Sequence, residues 1–223
     1  MAKDTSKGEP ELQFHKDTFD KTTAERRQRV LDVAVAAFAA NGYSATNIND
    51  IAKKAGISIG AMYSYFASKE DLFLAVVGSA YMLLEDVLTE ARAKQTDFFT
   101  MFEGLLAASR EYALKYPEYN QIYLDLTTQG LAQMALRLSN KLETVTVRMY
   151  RDAIREARER GQIRADADEA AAAFFIDNLL MMYQFSFSVD YFKDRMRIFL
   201  GEDFDPAAVE KSIMDFIRRA LKP

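Results

Sequence analysis

The sequence predicts an all-α protein, on three observations. Its 223 residues include nine glycines and four prolines, too few breakers for a chain of many short strands and tight turns. The apolar–polar alternation that marks strands never lasts beyond a few positions, whereas apolar residues recur at spacings of three and four along most of the chain. Apolar residues make up 49% and charged residues 28%, the balance of an ordinary water-soluble domain rather than of a disordered chain or a membrane bundle.

Residues 1–22 form a leader in which Leu12, Phe14 and Phe19 are scattered among charges, compatible with a frayed arm or with a short accessory helix. From Thr23, a cap residue, Val30, Ala34, Ala37 and Phe38 fall at helical spacing until Asn41-Gly42, which gives a first helix of about five turns. Asn47 caps a second helix with Ile48, Ile51 and Ala52 on its inner face, and Asp50 suits the positive helix start. Gly56 breaks that helix, Ser58 caps a short one over Ile59–Tyr65, and Ser68 caps the next. Two helices joined by a tight glycine turn and packed on a first make a helix-turn-helix unit over 23–68.

Beyond it the pattern predicts helices at 69–93, 97–116, 118–129, 131–160, 166–200 and 206–221, broken at Pro117, Gly130, Gly161, Gly201 and Asp205-Pro206. Leu131, Ala135, Leu138, Leu142, Val145 and Met149 step by four and three along one of them, a seam for bundle packing. Residues 69–223 therefore form a larger helical domain. Its last helix carries an apolar stripe of Val209, Ile213, Phe216, Ile217 and Ala220, and Ala170–Ala173 is a small-residue patch on the preceding one. Together they predict a homodimer with a four-helix interface.

Several classes of chemistry are excluded by counting. Cysteine is absent and His15 is the single histidine, which removes thiolate chemistry and leaves no histidine pair for a metal or a catalytic relay. The carboxylate pairs Asp166/Asp168 and Glu202/Asp203 read as a helix cap and a solvated turn. No catalytic residue, metal or cofactor is expected. The first 22 residues hold no apolar run, and Ala170 to Met182 is interrupted by Asp177 and Asn178, so the reading is a cytoplasmic protein without membrane contact. Although the net charge is −4, between Lys21 and Glu70 seven basic residues (Lys21, Arg26, Arg27, Arg29, Lys53, Lys54, Lys69) stand against four acids (Glu25, Asp32, Asp50, Glu70). That local excess permits nucleic-acid binding.

The stretch from Arg26 to Leu72 resembles the DNA-binding domain of the TetR/AcrR family of bacterial regulators. The residues that carry the resemblance are Phe38 with Asn41-Gly42-Tyr43, Thr46 to Ala52, Ala55 to Phe66, and Ser68-Lys69-Glu70-Asp71-Leu72. It implies a three-helix DNA-binding domain followed by an effector-binding and dimerisation domain, and a regulator that binds a double-stranded operator and is released by a small-molecule effector. In the recognition helix, Ser58, Ile59, Gly60, Ala61 and Ser64 supply a slim face for a major groove ~12 Å wide. Tyr63, Tyr65 and Lys69 resemble the family's phosphate-contacting residues, and Thr46 and Asn47 lie where the family also touches phosphate. Ile59 departs from the polar residues often found at its position, which shifts the expected readout toward thymine methyls and groove shape.

In the larger domain Phe102, Tyr123, Met149, Phe174 and Met181 are candidate walls of an apolar effector pocket, with Asn178 and Gln184 as polar groups. The helix beginning at Ser68, through Tyr81, Leu84 and Leu88, is the expected lever between the effector and the recognition helices. The rival readings are a helical carrier of lipids or small molecules and, less favoured by the motifs, an enzyme.

Overall fold

The computed structural model describes residues 13–94, 97–128 and 131–223, and among them every regular element is an α-helix. The chain divides into two compact units, residues 1–80 and 81–223. Of the expected features, Leu12 and the break at Gly130 lie outside the described residues, as do the side chains of Leu88, Leu142 and Val145.

The first unit contains α1 (Asp17–Asp20), α2 (Ala24–Ala45), α3 (Ile48–Lys54), α4 (Ile59–Tyr65) and the opening turns of α5 (Lys69–Lys94). Thr23 caps α2, its side chain accepting from the Arg26 amide. Gly42 interrupts that helix at φ 71°, where a side chain would be strained. At the end of α3 the amides of Gly56 and Ile57 turn back to the carbonyls of Lys53 and Ala52. Gly56, at φ 71°, supplies the left-handed residue that this closure requires. Ser68 accepts from the Asp71 amide and donates to the Asp71 carboxylate, a reciprocal cap that starts α5. Val30, Ala34, Phe38, Ile51, Met62, Phe66, Leu72 and Phe73 are buried together, and the Phe38 and Phe73 rings meet edge to face at 5.0 Å.

The second unit contains α6 (Phe98–Lys115), α7 (Pro117–Thr128), α8 (Ala132–Glu159), α9 (Glu169–Ser188), α10 (Asp190–Leu200) and α11 (Pro206–Leu221). Pro117 separates α6 from α7 as expected. Gly161 and Gly201 take positive φ after α8 and α10, and Asp205 caps α11. Leu131, Leu138 and Met149 of the α8 seam are buried. The main core joins α6, α8, α9 and α11 through Phe102, Leu106, Tyr150, Ile154, Ile176 and Ile217.

Three expectations are corrected here. The single helix over 166–200 is two helices, because Val189 adopts an extended conformation between them. Its side chain is buried, so packing anchors the break where no glycine or proline marks it. The cap of α9 is Asp168, which accepts from the Ala171 amide at 2.9 Å. Asp166 instead makes a two-point ion pair with Arg164. The α11 stripe is turned largely inward: Ile217 is buried, and Val209 and Ile213 pack on the same core, while Phe216 is left 65% exposed. Polar groups fasten α11 in that orientation. Glu210 accepts from Arg110 at 2.8 Å and from the Tyr183 hydroxyl at 2.7 Å, and Arg218 pairs with Glu103. Burial, and the bond to Glu210, push the Tyr183 hydroxyl pKa well above its ordinary value.

Leu106 is fully buried in this core. Leu106→Ala should lower stability by about 2–5 kcal/mol through lost burial and the cavity left behind, as read by the midpoint of chemical unfolding.

Candidate nucleic-acid interface and effector region

In the first unit the residues expected at a groove are sorted by the rotation of α4. Met62, Tyr65 and Phe66 are buried beneath the helix. Ser58, Ile59, Gly60, Tyr63 and Ser64 are exposed on the opposite side, and Ala61 is half-buried at its edge. Ser58 caps the helix by accepting from the Ala61 amide at 3.1 Å, and the Ser64 hydroxyl donates to the Ala61 carbonyl at 2.7 Å. A Cβ placed on Gly60 would meet nothing nearer than the Ser58 hydroxyl at 3.9 Å. Internal packing therefore does not demand glycine there, whereas a surface that must approach the helix backbone closely would.

Three of the expected phosphate contacts have other work. Tyr65 is buried, with its ring 5.3 Å from that of Phe19. Its hydroxyl is held by the Thr22 side chain, with Arg26 close by, which draws its pKa below the ordinary phenol value. Thr46 is also buried, and its hydroxyl bonds to the carbonyls of Gly42 and Ala37 at 2.7 and 3.1 Å. Lys69 donates to the carbonyls of Tyr43, Ser44 and Thr46 at 2.9, 3.2 and 3.1 Å and lies 4.6 Å from the Tyr43 ring centre. An ammonium has three N–H donors, so this one staples the α2–α3 connection to the start of α5. Asn47 is exposed and caps α3 through the Asn49 amide. Asn47 and Tyr63 are the exposed ones among the five expected phosphate contacts.

The leader is ordered over its described part, which sequence reasoning left open. Lys16, Thr18 and Phe19 all engage α4: Lys16 through its amide and its ammonium, Thr18 through its hydroxyl, Phe19 through its ring. Of the apolar residues scattered among charges in the leader, Phe19 is the one whose ring packs on this helix.

Two effector candidates of the second unit, Phe174 and Asn178, do not face the interior. Phe102 and Met149 are buried in the core. Tyr123 and Met181 are half-buried, and the Tyr123 ring lies 6.1 Å from that of Phe185. Phe174 is 64% exposed, and Asn178, one turn on, donates to the Phe174 carbonyl of its own helix. These two belong to the outer face of α9, not to the interior holding Phe102. Asn120 was missed. It is buried, its Oδ1 accepts from Gln184 at 2.5 Å, and its Nδ2 has no hydrogen-bond partner among the described residues. Among these residues, no cluster of three or more acidic or histidine side chains is arranged to hold a metal ion.

Residues 30–76 match the family described as bacterial regulatory proteins, tetR family. Those residues make up a domain of the tetR family. The chain is 28% identical over 131 residues to the fatty acid metabolism regulator protein of Bacillus subtilis, covering 56% of the chain and 62% of that relative. It thus spans less than two thirds of that relative's length. It is 28% identical over 154 residues to the transcriptional repressor KstR2 of Rhodococcus jostii, covering 68% of the chain and 74% of the relative. Among solved structures it resembles the Bacillus subtilis regulator FadR in complex with stearoyl-CoA, with a TM-score of 0.69 at 17% identity over 85% of this chain and 96% of that one. At that identity the likeness is one of fold.

Two outcomes follow from the geometry. Gly60→Ala should leave the fold intact and raise its stability by about 0.5–1 kcal/mol while weakening duplex binding; equal binding would remove close backbone approach as the reason for the glycine. Lys69→Met should lower the stability of the first unit by about 1–3 kcal/mol with the salt dependence of duplex binding unchanged. A shallower salt dependence would restore Lys69 as a phosphate contact.

Proposed function

We propose that the protein is a ligand-responsive transcriptional regulator, a repressor that binds a palindromic operator as a homodimer and is released by a small apolar or amphipathic effector. The observation that carries this reading is the exposed, slim face of α4, capped and supported from beneath, on a domain matching the tetR family. The proposed DNA-contacting set is Ser58, Ile59, Gly60, Ala61 and Ser64 toward the bases and Asn47 and Tyr63 toward phosphates, with Thr46, Tyr65 and Lys69 holding these elements in place. A double-stranded operator as partner puts the protein in the cytoplasm. A carrier or an enzyme would leave this supported helix face without a purpose, and the relatives are named as regulators.

A second copy of the chain is the proposed cover for the outer face of α9. Phe174 and Phe175 there are 64% and 62% exposed, and Phe216 of α11 is exposed as well. By length and composition alone α9 could also cross a membrane, but Ala172, Ala173, Ile176 and Leu180 on its other side are already in the protein core. A water-facing row of aromatic rings favours a protein interface.

For the effector, the relatives point to a molecule with a large apolar part. One similar regulator is named for fatty acid metabolism, and FadR was solved with stearoyl-CoA. Phe102, Met149, Tyr123 and Met181 remain the proposed walls. Asn120, buried with a free amide donor, gives such a ligand a polar anchor beside Gln184. Release requires differential affinity: shifting a 99:1 population to 1:99 takes ~5.5 kcal/mol of preference for the non-binding state.

Sedimentation of the intact protein at micromolar concentration should show a dimer, and Phe174→Glu should shift it toward monomer. Duplex recovered by selection from a random pool should bind with a steep salt dependence, losing about 10³–10⁵ in affinity between ~50 and ~200 mM salt if the dimer makes ~6–10 phosphate contacts. A monomer with full duplex affinity, or salt-independent binding, would contradict the reading.

A further inference from the structure

We propose that residues 15–22 form a clasp on the recognition helix, and that Lys16, Thr18 and Phe19 are positioning residues for sequence-specific DNA binding. This rests on α4 being the helix that enters the groove. The case begins with the length of α4, seven residues or about two turns. A helix that short is marginal by itself, and Ile59 and Gly60 are weak helix formers in its first turn. The last four carbonyls of any helix lack intrahelical partners. In α4 these belong to Met62, Tyr63, Ser64 and Tyr65, and all four are satisfied.

The Phe66 amide takes the carbonyl of Met62 at 2.9 Å. The leader takes the other three. The Lys16 ammonium donates to the Tyr63 carbonyl at 2.9 Å, the Thr18 hydroxyl donates to that of Ser64, and the Lys16 amide donates to that of Tyr65 at 2.8 Å. A positive charge at a helix C-terminus also complements its dipole. Phe19 is 3% exposed, its ring 4.8 Å from that of Phe66 and 5.3 Å from that of Tyr65.

The clasp is itself anchored. One Arg27 nitrogen donates to the carbonyls of Asp20 and Thr22 at 2.8 and 2.7 Å, and Asp20 also accepts from the single histidine, His15, at 2.8 Å. A continuous path therefore runs from α2, through the leader, to the end of α4. Tyr63 and Ser64, whose carbonyls are gripped, are also the last exposed residues of the groove face. Loss of the grip frees the carboxyl end of the helix that must be aligned with base edges.

The consequence differs from that of a phosphate contact. Non-specific binding depends on phosphates, whereas specific binding adds groups held in register with bases. Loosening α4 should weaken specific binding selectively. The experiment uses full-length Phe19→Ala, Lys16→Met, Thr18→Val and Thr18→Ser, with two probes: the duplex selected from a random pool by the unaltered protein, and a scrambled duplex of equal length. Amide hydrogen exchange over Tyr63–Phe66 is followed without DNA.

Phe19→Ala, Lys16→Met and Thr18→Val are expected to lose about tenfold or more in affinity for the selected duplex, the order of one misplaced base contact, with scrambled-duplex affinity changed less than about twofold. Exchange at Tyr63–Phe66 should accelerate in all three, and Thr18→Ser, which keeps the hydroxyl, should restore both readouts. Unchanged exchange and unchanged selected-duplex affinity would overturn the proposal. So would a parallel fall on both duplexes, which would make the leader a phosphate contact or a general stabiliser. If the unaltered protein selects no duplex at all, the DNA-binding reading fails, and exchange alone still decides whether the leader holds α4.

Discussion

The first unit is organised around a helix that cannot hold itself. With two turns and weak formers at its start, α4 depends on supports from every side but one. Ser58 and the Gly56 turn set its beginning. Met62 and Phe66, both fully buried, hold it from beneath, and the leader holds its end. What remains unsupported is the face bearing Ile59, Gly60, Tyr63 and Ser64. Lys69 extends the same logic to the neighbouring connection, since a charge spent on three backbone carbonyls fixes the loop leading into α3. Rigidity here is built mostly from backbone acceptors, which matches what a base-reading helix requires.

In the second unit, burial decides which face of each helix is left for a partner. Glu210, shared between Arg110 and Tyr183, joins α6, α9 and α11, and with Arg218–Glu103 it commits the apolar side of α11 to the chain's own core. The aromatic pair of α9, Phe174 and Phe175, stays exposed where Val209, Ile213 and Ile217 of α11 do not. The proposed dimer accordingly relies more on Phe174 and Phe175 than on the α11 stripe. Phe174 and Asn178 stay outside the interior, where Gln184 donates to the buried Asn120.

What could be read from the sequence was what local chemistry encodes. Caps at Thr23, Asn47, Ser58 and Ser68, and breaks at Gly42, Gly56, Gly161, Gly201 and Asp205-Pro206, are decided by neighbouring residues and stood out accordingly. The break at Val189 did not, because a buried valine anchors it and no breaker announces it. Tyr63 and Tyr65, both expected at phosphate, are placed differently: residues two apart on a helix point about 200° from each other, and here Tyr65 is buried while Tyr63 is exposed. Phe19 packs on Tyr65 from 46 residues earlier in the chain, a distance at which no local pattern operates. The leader's hydrogen bonds escaped for a similar reason. Their acceptors are backbone carbonyls, which every sequence has.

Sequence recognition by this protein requires the open face of α4 to lie against base pairs. It is tested most directly by placing a photo-activated cross-linking group at Ile59 or at Ser64 and mapping the nucleotides captured in a selected duplex. The account predicts cross-links to bases within each half-site from both positions, and none from a control group at Phe174 on α9. Capture of DNA from Phe174 alone, or no base cross-links from α4 under conditions where the duplex is fully bound, would contradict it.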